Sequence, residues 1–362
     1  MKASDYIAEF IAAQGVTHVF GGTGAHILHV VDSIARHPGL KYVPCGHEQG
    51  AAFAADAYAR ISGGLGVAVS TSGPGAVNLL SGACSAHFDS IPVLFLTGQV
   101  ESTQLRVGVS LRQKGFQETP VVDIFRPVVK AALGPIVDIA HLPEVLNKAV
   151  VEALSGRPGP VLIDIPDDIQ RAPITTPAPV KMCPSRPAEN GSESLARLLE
   201  FEEVRKLLEK AGRPLLIFGA GVHQCHAERE AVAFIERIRV PVLLTWGALD
   251  LLPHGHPLNC GGFGTCGPKA GNLALAEADL VISVGAKLNR QETGPGRFAP
   301  SALRVIVEND SAEMRKFPFD EGDMPALFSM KGLFPMGIVP HQLWTAWLER
   351  IHGWQALFPV GC

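Results

Sequence analysis

Charge is scarce in this 362-residue chain, in which Asp, Glu, Lys and Arg make up 18% against roughly a quarter in an average soluble protein. So few charges point to extensive burial, part of it against partners. The net charge is -4 with no cluster of Lys and Arg, which leaves no electrostatic footprint for nucleic acid or an anionic membrane surface. Neither is expected as a partner. Long apolar runs are also missing: nowhere do about 18 such residues follow one another, so no membrane-spanning helix is expected. The cysteines at 45, 84, 183, 225, 260, 266 and 362 include no C-x-x-C pair, and an odd set of this kind suits neither a disulfide framework nor a zinc knuckle. Reduced thiols in a cytoplasm are the expectation. The opening Met1-Lys2-Ala3-Ser4-Asp5-Tyr6-Ile7-Ala8-Glu9-Phe10-Ile11 has helical apolar spacing and an acidic pair, not the long apolar core of a signal peptide.

What is present is apolar material in short pieces. Hydrophobic residues make up 47%, and the length suggests two domains. The spacing predicts a helix from Asp5 to Ala13 capped by Ser4 or Asp5, then a strand Thr17-His18-Val19-Phe20 ending in the turn Gly21-Gly22-Thr23-Gly24. Further short strands are expected at 42–44, 66–70, 92–96 and 161–165. Between Pro173 and Arg197 the composition turns to Pro, Ser, Thr and Glu, the signature of a linker. Beyond it come a helix at 201–211, a strand at 214–218, the turn Gly219-Ala220-Gly221, a helix at 227–237, strands at 240–244 and 280–284, and a last helix from about His341 to Ile351. Strands alternating with helices imply an α/β fold with two doubly wound parallel-sheet domains joined by a Pro-rich linker.

Three segments of the first domain carry chemistry. Gly46-His47-Glu48-Gln49-Gly50-Ala51-Ala52 opens a helix of small residues with one carboxylate, Glu48. Ser70-Thr71-Ser72-Gly73-Pro74-Gly75-Ala76-Val77-Asn78 is a turn after an apolar strand, and Gly115-Phe116-Gln117-Glu118 follows later. Taken singly, Glu48 could cap its own helix, and the 72–75 turn is an ordinary strand-to-helix connection; no Lys-Ser/Thr follows it, so it is not a P-loop. Together they resemble the pyrimidine-binding domain of thiamine-diphosphate-dependent enzymes, in the acetolactate synthase branch. In weaker form the likeness runs over nearly the whole chain. It implies that Glu48 is the acid that relays a proton with the cofactor's aminopyrimidine, in an apolar pocket where water cannot compete. It further implies that Gly22, Thr71, Pro74 and Asn78 hold the cofactor, and that Gln117 reaches its reacting end, where a neutral amide orients a carbonyl acceptor without titrating. Arg112 and Gln113 beside it suit a carboxylate or phosphate, or are solvated loop residues.

In the second domain the resemblance is to the FAD-holding central domain of acetolactate synthases, through Gly219, Gly221, Thr245, Gly264, Gly267, Lys287 and Asn289. Relatives usually carry Arg and Asp where Lys287 and Asn289 stand, and lysine lacks the planar fork of arginine. The alternative is a domain that keeps the fold without FAD. A dinucleotide fingerprint fails, because Gly219-Ala220-Gly221-Val222-His223-Gln224 lacks the third glycine. His26, His29, His47 and His87 share the first domain without metal-ligand spacing, and no metal ligand is expected.

The domains so implied are a thiamine pyrimidine-binding domain over 1–172, a linker over 173–197, a central domain over 198–335, and a helix and tail over 336–362. The family also uses a diphosphate-binding domain with magnesium ligands of the Gly-Asp-Gly type, since a hard cation requires oxygen ligands. This chain has only Glu321-Gly322-Asp323 and no Asn after Asn309, so that domain is expected from another chain or is lost. The activity implied is decarboxylation of pyruvate or another 2-keto acid and transfer of the acyl unit to a carbonyl acceptor, in a homo-oligomer (dimer or tetramer). Alternatives are a non-catalytic two-domain relative, a branched-sugar acyl transferase, a simple 2-keto acid decarboxylase, and a nucleotide-binding oxidoreductase of similar fold.

Overall fold

The computed structural model describes residues 1–106, 108, 110–182, 193–294, 298–308, 310–314, 324–326 and 344–360. The chain forms two compact units, Met1–Ala188 and Glu189–Cys362. Among the described residues no helix is long and apolar enough to cross a membrane.

The first unit contains, in order, α1 (Ala3–Ala13), β1 (His18–Gly21), α2 (Leu28–Arg36), β2 (Lys41–Pro44), α3 (Glu48–Ser62), β3 (Gly66–Ser70), α4 (Pro74–Asn78), α5 (Leu80–Asp89), β4 (Val93–Gln99), α6 (Val121–Phe125), β5 (Ala131–Leu133), α7 (Leu142–Leu154), β6 (Val161–Pro166) and α8 (Asp167–Arg171). Its six strands lie in the order β2-β1-β3-β4-β6-β5, all parallel. The central strands β3, β4 and β6 are buried along their whole length, as a parallel sheet covered on both faces requires. One apolar cluster joins α1, α2 and α7 to one face, and another joins the alanines of α3 and α5 to the opposite face. Small residues set how closely those helices approach: a Cβ on Gly82 of α5 would lie 2.3 Å from Ala52 Cβ, and one on Gly66 would lie 2.1 Å from the Ala55 carbonyl oxygen.

The second unit contains α9 (Glu193–Lys210), β7 (Pro214–Phe218), α10 (Gly221–Gln224), α11 (Glu228–Ile238), β8 (Val242–Leu244), α12 (Lys269–Glu277), β9 (Leu280–Val284), α13 (Arg290–Thr293), β10 (Leu303–Val307), α14 (Ser311–Met314), β11 (Met324–Ala326) and α15 (Thr345–Leu357). Its strands run β11-β10-β9-β7-β8 and are again parallel. The two doubly wound α/β sheets agree with the fold class read from the sequence.

Several boundaries differ, each for a physical reason. Ser4 and Asp5 do not cap α1; Lys2 precedes it without a side-chain cap. Both side chains instead meet Ser33 of α2, whose Oγ lies 2.9 Å from Ser4 Oγ and donates to Asp5 Oδ1 at 2.7 Å. Tertiary packing claimed the capping residues. Residues 174–182 have no regular structure, 183–192 lie outside the described residues, and α9 begins at Glu193, inside the stretch whose composition reads as linker. The edge strands β5 and β11 and the interior strand β10 were not expected from the pattern. The last helix is seated in the second unit: Trp344, Trp347 and Ile351 are buried, and the two indoles donate to the carbonyls of Ala211 and Pro214, each at 3.0 Å. His341, with which that helix was expected to open, lies outside the described residues, as do Asn309 and 321–323.

Candidate active site

The second sheet reverses its strand order once, between β7 and β9; the first does so between β1 and β3 and again where β6 returns between β4 and β5. The first unit lays β2 on one side of β1 and β3 on the other, so the carboxyl ends of β1 and β3 open a crevice, the place where ligands bind in open parallel sheets. Gly21 permits that pairing, since a Cβ there would meet Val69 Cγ2 at 2.4 Å. The loops leaving both strands carry residues singled out from the sequence: Gly22 after β1, Thr71 and Pro74 after β3. Glu48 arrives from the neighbouring strand, as the first residue of α3.

Glu48 does not cap its helix. The N-cap is His47, whose Nδ1 accepts from the Gln49 amide at 3.1 Å. That releases the Glu48 carboxylate, and its Oε2 accepts from Asn78 Nδ2 at 3.0 Å. Asn78 reaches it because α4 starts at Pro74, a residue suited to a first helical position, and lasts one turn, ending at Asn78. The other oxygen, Oε1, has no hydrogen-bond partner among the described residues and looks onto two glycines: a Cβ on Gly22 would lie 3.5 Å from it, one on Gly75 3.0 Å. Ser70 Oγ, 3.1 Å from that same Gly75 position, is buried and unpaired. Such an orphan hydroxyl is rare in native structures and asks for an explanation. Glu48 itself is half-buried. A fully enclosed acid of this unit is Asp164 on β6, which accepts from Thr97 Oγ1 at 2.7 Å and Gln99 Nε2 at 2.9 Å. Burial pushes its pKa up to about 7, against the pull of those two hydrogen bonds.

Gln117 lies on the far side of the same turn. A Cβ on Gly73, which has φ 68°, would meet Gln117 Cβ at 3.0 Å and Cδ at 3.5 Å. Gln117 is exposed and takes φ 58°, a left-handed backbone that few residues other than glycine adopt. Its neighbour Glu118 pins the loop, accepting from the amides of Arg106 and Lys114, each at 2.7 Å. Arg112 and Gln113 are exposed. The turn 72–75 thus has Gln117 against Gly73 and Glu48 against Gly75.

His26 was passed over because only metal spacing was sought. Its Nδ1 lies 2.6 Å from Ser72 Oγ, and its amide donates to Thr71 Oγ1 at 3.3 Å, which joins the loop after β1 to the loop after β3. The signal that could have found it is its place in the turn beyond the first strand, beside the same glycines.

The second unit's crevice, between β7 and β9, is closed by its own chain. A Cβ on Gly219 would lie 2.3 Å from the Gly285 carbonyl oxygen and 2.4 Å from Ala286 Cα, one on Gly264 2.5 Å from the Gln291 oxygen, and one on Gly267 2.2 Å from the Phe263 carbonyl carbon. Gly221 donates its amide to the Gly285 oxygen at 3.0 Å, and buried Thr245 donates its own to Phe218. Asn289 caps α13 in a capping box with Glu292. Lys287 is exposed. These contacts do not fit an open cradle for FAD, because the glycines admit neighbouring backbone. In the first unit, by contrast, the open carboxylate oxygen, the orphan hydroxyl and the two glycines fit the edge of a planar nitrogen heterocycle such as an aminopyrimidine. No cluster of three His, Cys, Asp or Glu side chains that could hold a metal ion occurs among the described residues.

The description "thiamine pyrophosphate enzyme, N-terminal TPP binding domain" matches residues 1–125, and "thiamine pyrophosphate enzyme, central domain" matches residues 201–325. The chain is similar to the acetolactate synthase isozyme 2 large subunit of Escherichia coli (strain K12), at 35% identity over 98% of this chain and 63% of that protein. It is similar to the probable acetolactate synthase large subunit of Methanocaldococcus jannaschii, at 36% identity over 97% of this chain and 59% of that protein. For the acetolactate synthase large subunit of Lactococcus lactis subsp. lactis the identity is 33%, over 91% of this chain and 56% of that protein. The chain thus spans roughly three-fifths of the length of these relatives.

Proposed function

The chain belongs to the thiamine pyrophosphate enzymes, with their N-terminal and central domains, and from that premise we propose that it forms the pyrimidine-binding side of an acetolactate synthase-like carboligase site. The observation that carries this reading is the Glu48 carboxylate, oriented by Asn78 through Oε2 and open at Oε1 between Gly22 and Gly75. Thiamine diphosphate, when bound there, supplies the electron sink for decarboxylating a 2-keto acid, pyruvate in the first instance, and joining the acyl unit to a carbonyl acceptor.

The chain's own residues do the rest. Glu48 Oε1 holds and returns a proton at the pyrimidine ring nitrogen, and Asn78 keeps the carboxylate from turning away. Gly22 and Gly75 let the ring approach edge-on, Thr71 and Pro74 flank it, and Ser70 Oγ gains a partner. Gln117, held over Gly73, offers its amide to the acceptor carbonyl without titrating. Diphosphate and magnesium are held by a diphosphate-binding domain outside the two units described, in a homo-oligomer. For the second unit a structural role is favoured over FAD binding, because Gly219, Gly264 and Gly267 are used by the fold and Asn289 by a helix cap.

Calorimetric titration of the chain with thiamine diphosphate and magnesium tests the reading. Weak binding is expected from pyrimidine contacts alone, lost in Asn78→Ala and Glu48→Ala. Binding of equal strength in those variants would contradict it. Absence of flavin absorbance from the purified protein is expected; a flavin retained in stoichiometric amount would overturn the structural role of the second unit.

A further inference from the structure

We propose that His26 is a second proton-handling side chain of this site, held by Ser72 and acting on the oxygen of the carbonyl substrate while Glu48 serves the cofactor; the proposal rests on the reading of the site given above. The backbone brings His26 to the crevice by a close-packed route. After β1 the chain turns through a short 3-10 segment, Ala25–Ile27, whose place on the sheet exists only because two neighbours lack side chains. A Cβ on Gly98 of β4 would lie 1.8 Å from the His26 carbonyl oxygen, and one on Gly24 would lie 2.4 Å from Thr71 Cβ. The His26 carbonyl then accepts from Gln170 Nε2 at 2.6 Å, so its main chain is fixed from both sides of the turn.

The ring is fixed at one nitrogen only. Nδ1 is bound to Ser72 Oγ, in a residue with no solvent exposure, one position before Gly73, against which Gln117 lies. Nε2 has no hydrogen-bond partner among the described residues, and the ring is half-buried. The titratable groups on the elements around it are otherwise engaged or distant in role. His29 of α2 lies 3.8 Å from Asp167 of α8, Asp168 is held by the amide and hydroxyl of Ser102, Asp164 by Thr97 and Gln99, and Glu48 by Asn78. Among the described residues no carboxylate bonds to His26.

An imidazole anchored at one nitrogen and open at the other is suited to shuttle a proton. With the proton on Nδ1 and donated to Ser72 Oγ, Nε2 carries the lone pair and takes a proton from the hydroxyl of the joined product as that oxygen returns to a carbonyl and the product is released. The imidazolium so formed returns that proton to a carbonyl oxygen as the carbon beneath it gains a bond. The ring begins and ends neutral, and the only bonds it makes and breaks are N–H.

Ring-nitrogen NMR of the histidine-labelled chain tests this. Ser72→Ala is expected to shift the His26 tautomer balance away from Nδ1–H, and an unchanged balance would contradict the anchoring. Addition of thiamine diphosphate with magnesium, then pyruvate, is expected to shift the His26 ring signals together with the Gly75 and Asn78 amides. Amide shifts with His26 unmoved would overturn the proposal while leaving the proposed function standing; no shift at any of them would remove both. In the full-length protein, His26→Gln is expected to lower turnover about 10²-fold, with KM little changed and one limb of the pH-rate profile gone. An equal loss at every pH, with both limbs kept, would make His26 structural only.

Discussion

Each sheet reverses its strand order beside its first strand, between β1 and β3 and between β7 and β9, yet the crevices at these two places are lined differently. Between β1 and β3 the loops touch through His26, Thr71 and Ser72, yet an open carboxylate oxygen and an unpaired hydroxyl remain beside Gly22 and Gly75. Between β7 and β9 the loops lie on each other, and Gly219, Gly264 and Gly267 admit backbone. Glycine-rich turns after strands therefore have two uses, room for a ligand and room for the chain itself. Only the atoms opposite the missing Cβ tell them apart.

Substitutions at these glycines break the comparison most directly. Gly219→Ala forces a methyl group to 2.3 Å from the Gly285 carbonyl oxygen, and overpacking of this kind costs about 1–3 kcal/mol, with the upper end expected against rigid backbone. Urea unfolding should show that loss; an unchanged midpoint would mean that the second crevice is looser than described. At least as large is a pH effect on the first unit. Asp164 holds its proton up to about 7 in the folded chain against 3.8 as its ordinary value. Between those values the unfolded chain releases a proton that the folded chain keeps, so stability falls as pH rises, by up to ~1.4 kcal/mol per unit, and levels off above 7. Urea midpoints for Asp164→Asn should lack that slope, and parallel curves for the two proteins would contradict the assignment. Asn289→Ala should cost about 1 kcal/mol, the usual loss of an N-cap, without altering any ligand affinity. Smallest in stability is Gly22→Ala, whose new methyl would make ordinary contact 3.5 Å from Glu48 Oε1; a change within about 0.5 kcal/mol is expected, together with weaker thiamine diphosphate binding. Undiminished binding would place the pyrimidine elsewhere.

Much of this was legible because parallel strands announce themselves. Apolar runs such as 66–70 and 280–284 end in or just before Gly, Ser or Thr, and each proved a strand with those boundaries. Glu48 was legible as a lone acid among alanines. Its surroundings were not, since a half-buried position and the Asn78 partner depend on how two helices meet. Asp164 escaped notice because an acid inside Val161-Leu162-Ile163-Asp164-Ile165 looks like an outward-facing strand residue, and only the sheet order shows both faces covered. Ser4 and Asp5 misled for the same reason, as their bonds to α2 join residues 28 and 29 positions apart. His26 needed the register of β1 against β3 to bring it over Ser72. Edge strands β5 and β11 are three residues each, too short for any periodicity to register.

The central claim, that the crevice between β1 and β3 is built around Glu48 as a proton relay, is tested most directly by C2 proton exchange of thiamine diphosphate bound to the full-length protein, followed by NMR. Wild-type protein should exchange that proton rapidly, and Glu48→Gln, which preserves shape and the crevice, should slow exchange by at least about 10²-fold with the fold intact. Exchange at the wild-type rate in Glu48→Gln would contradict the account.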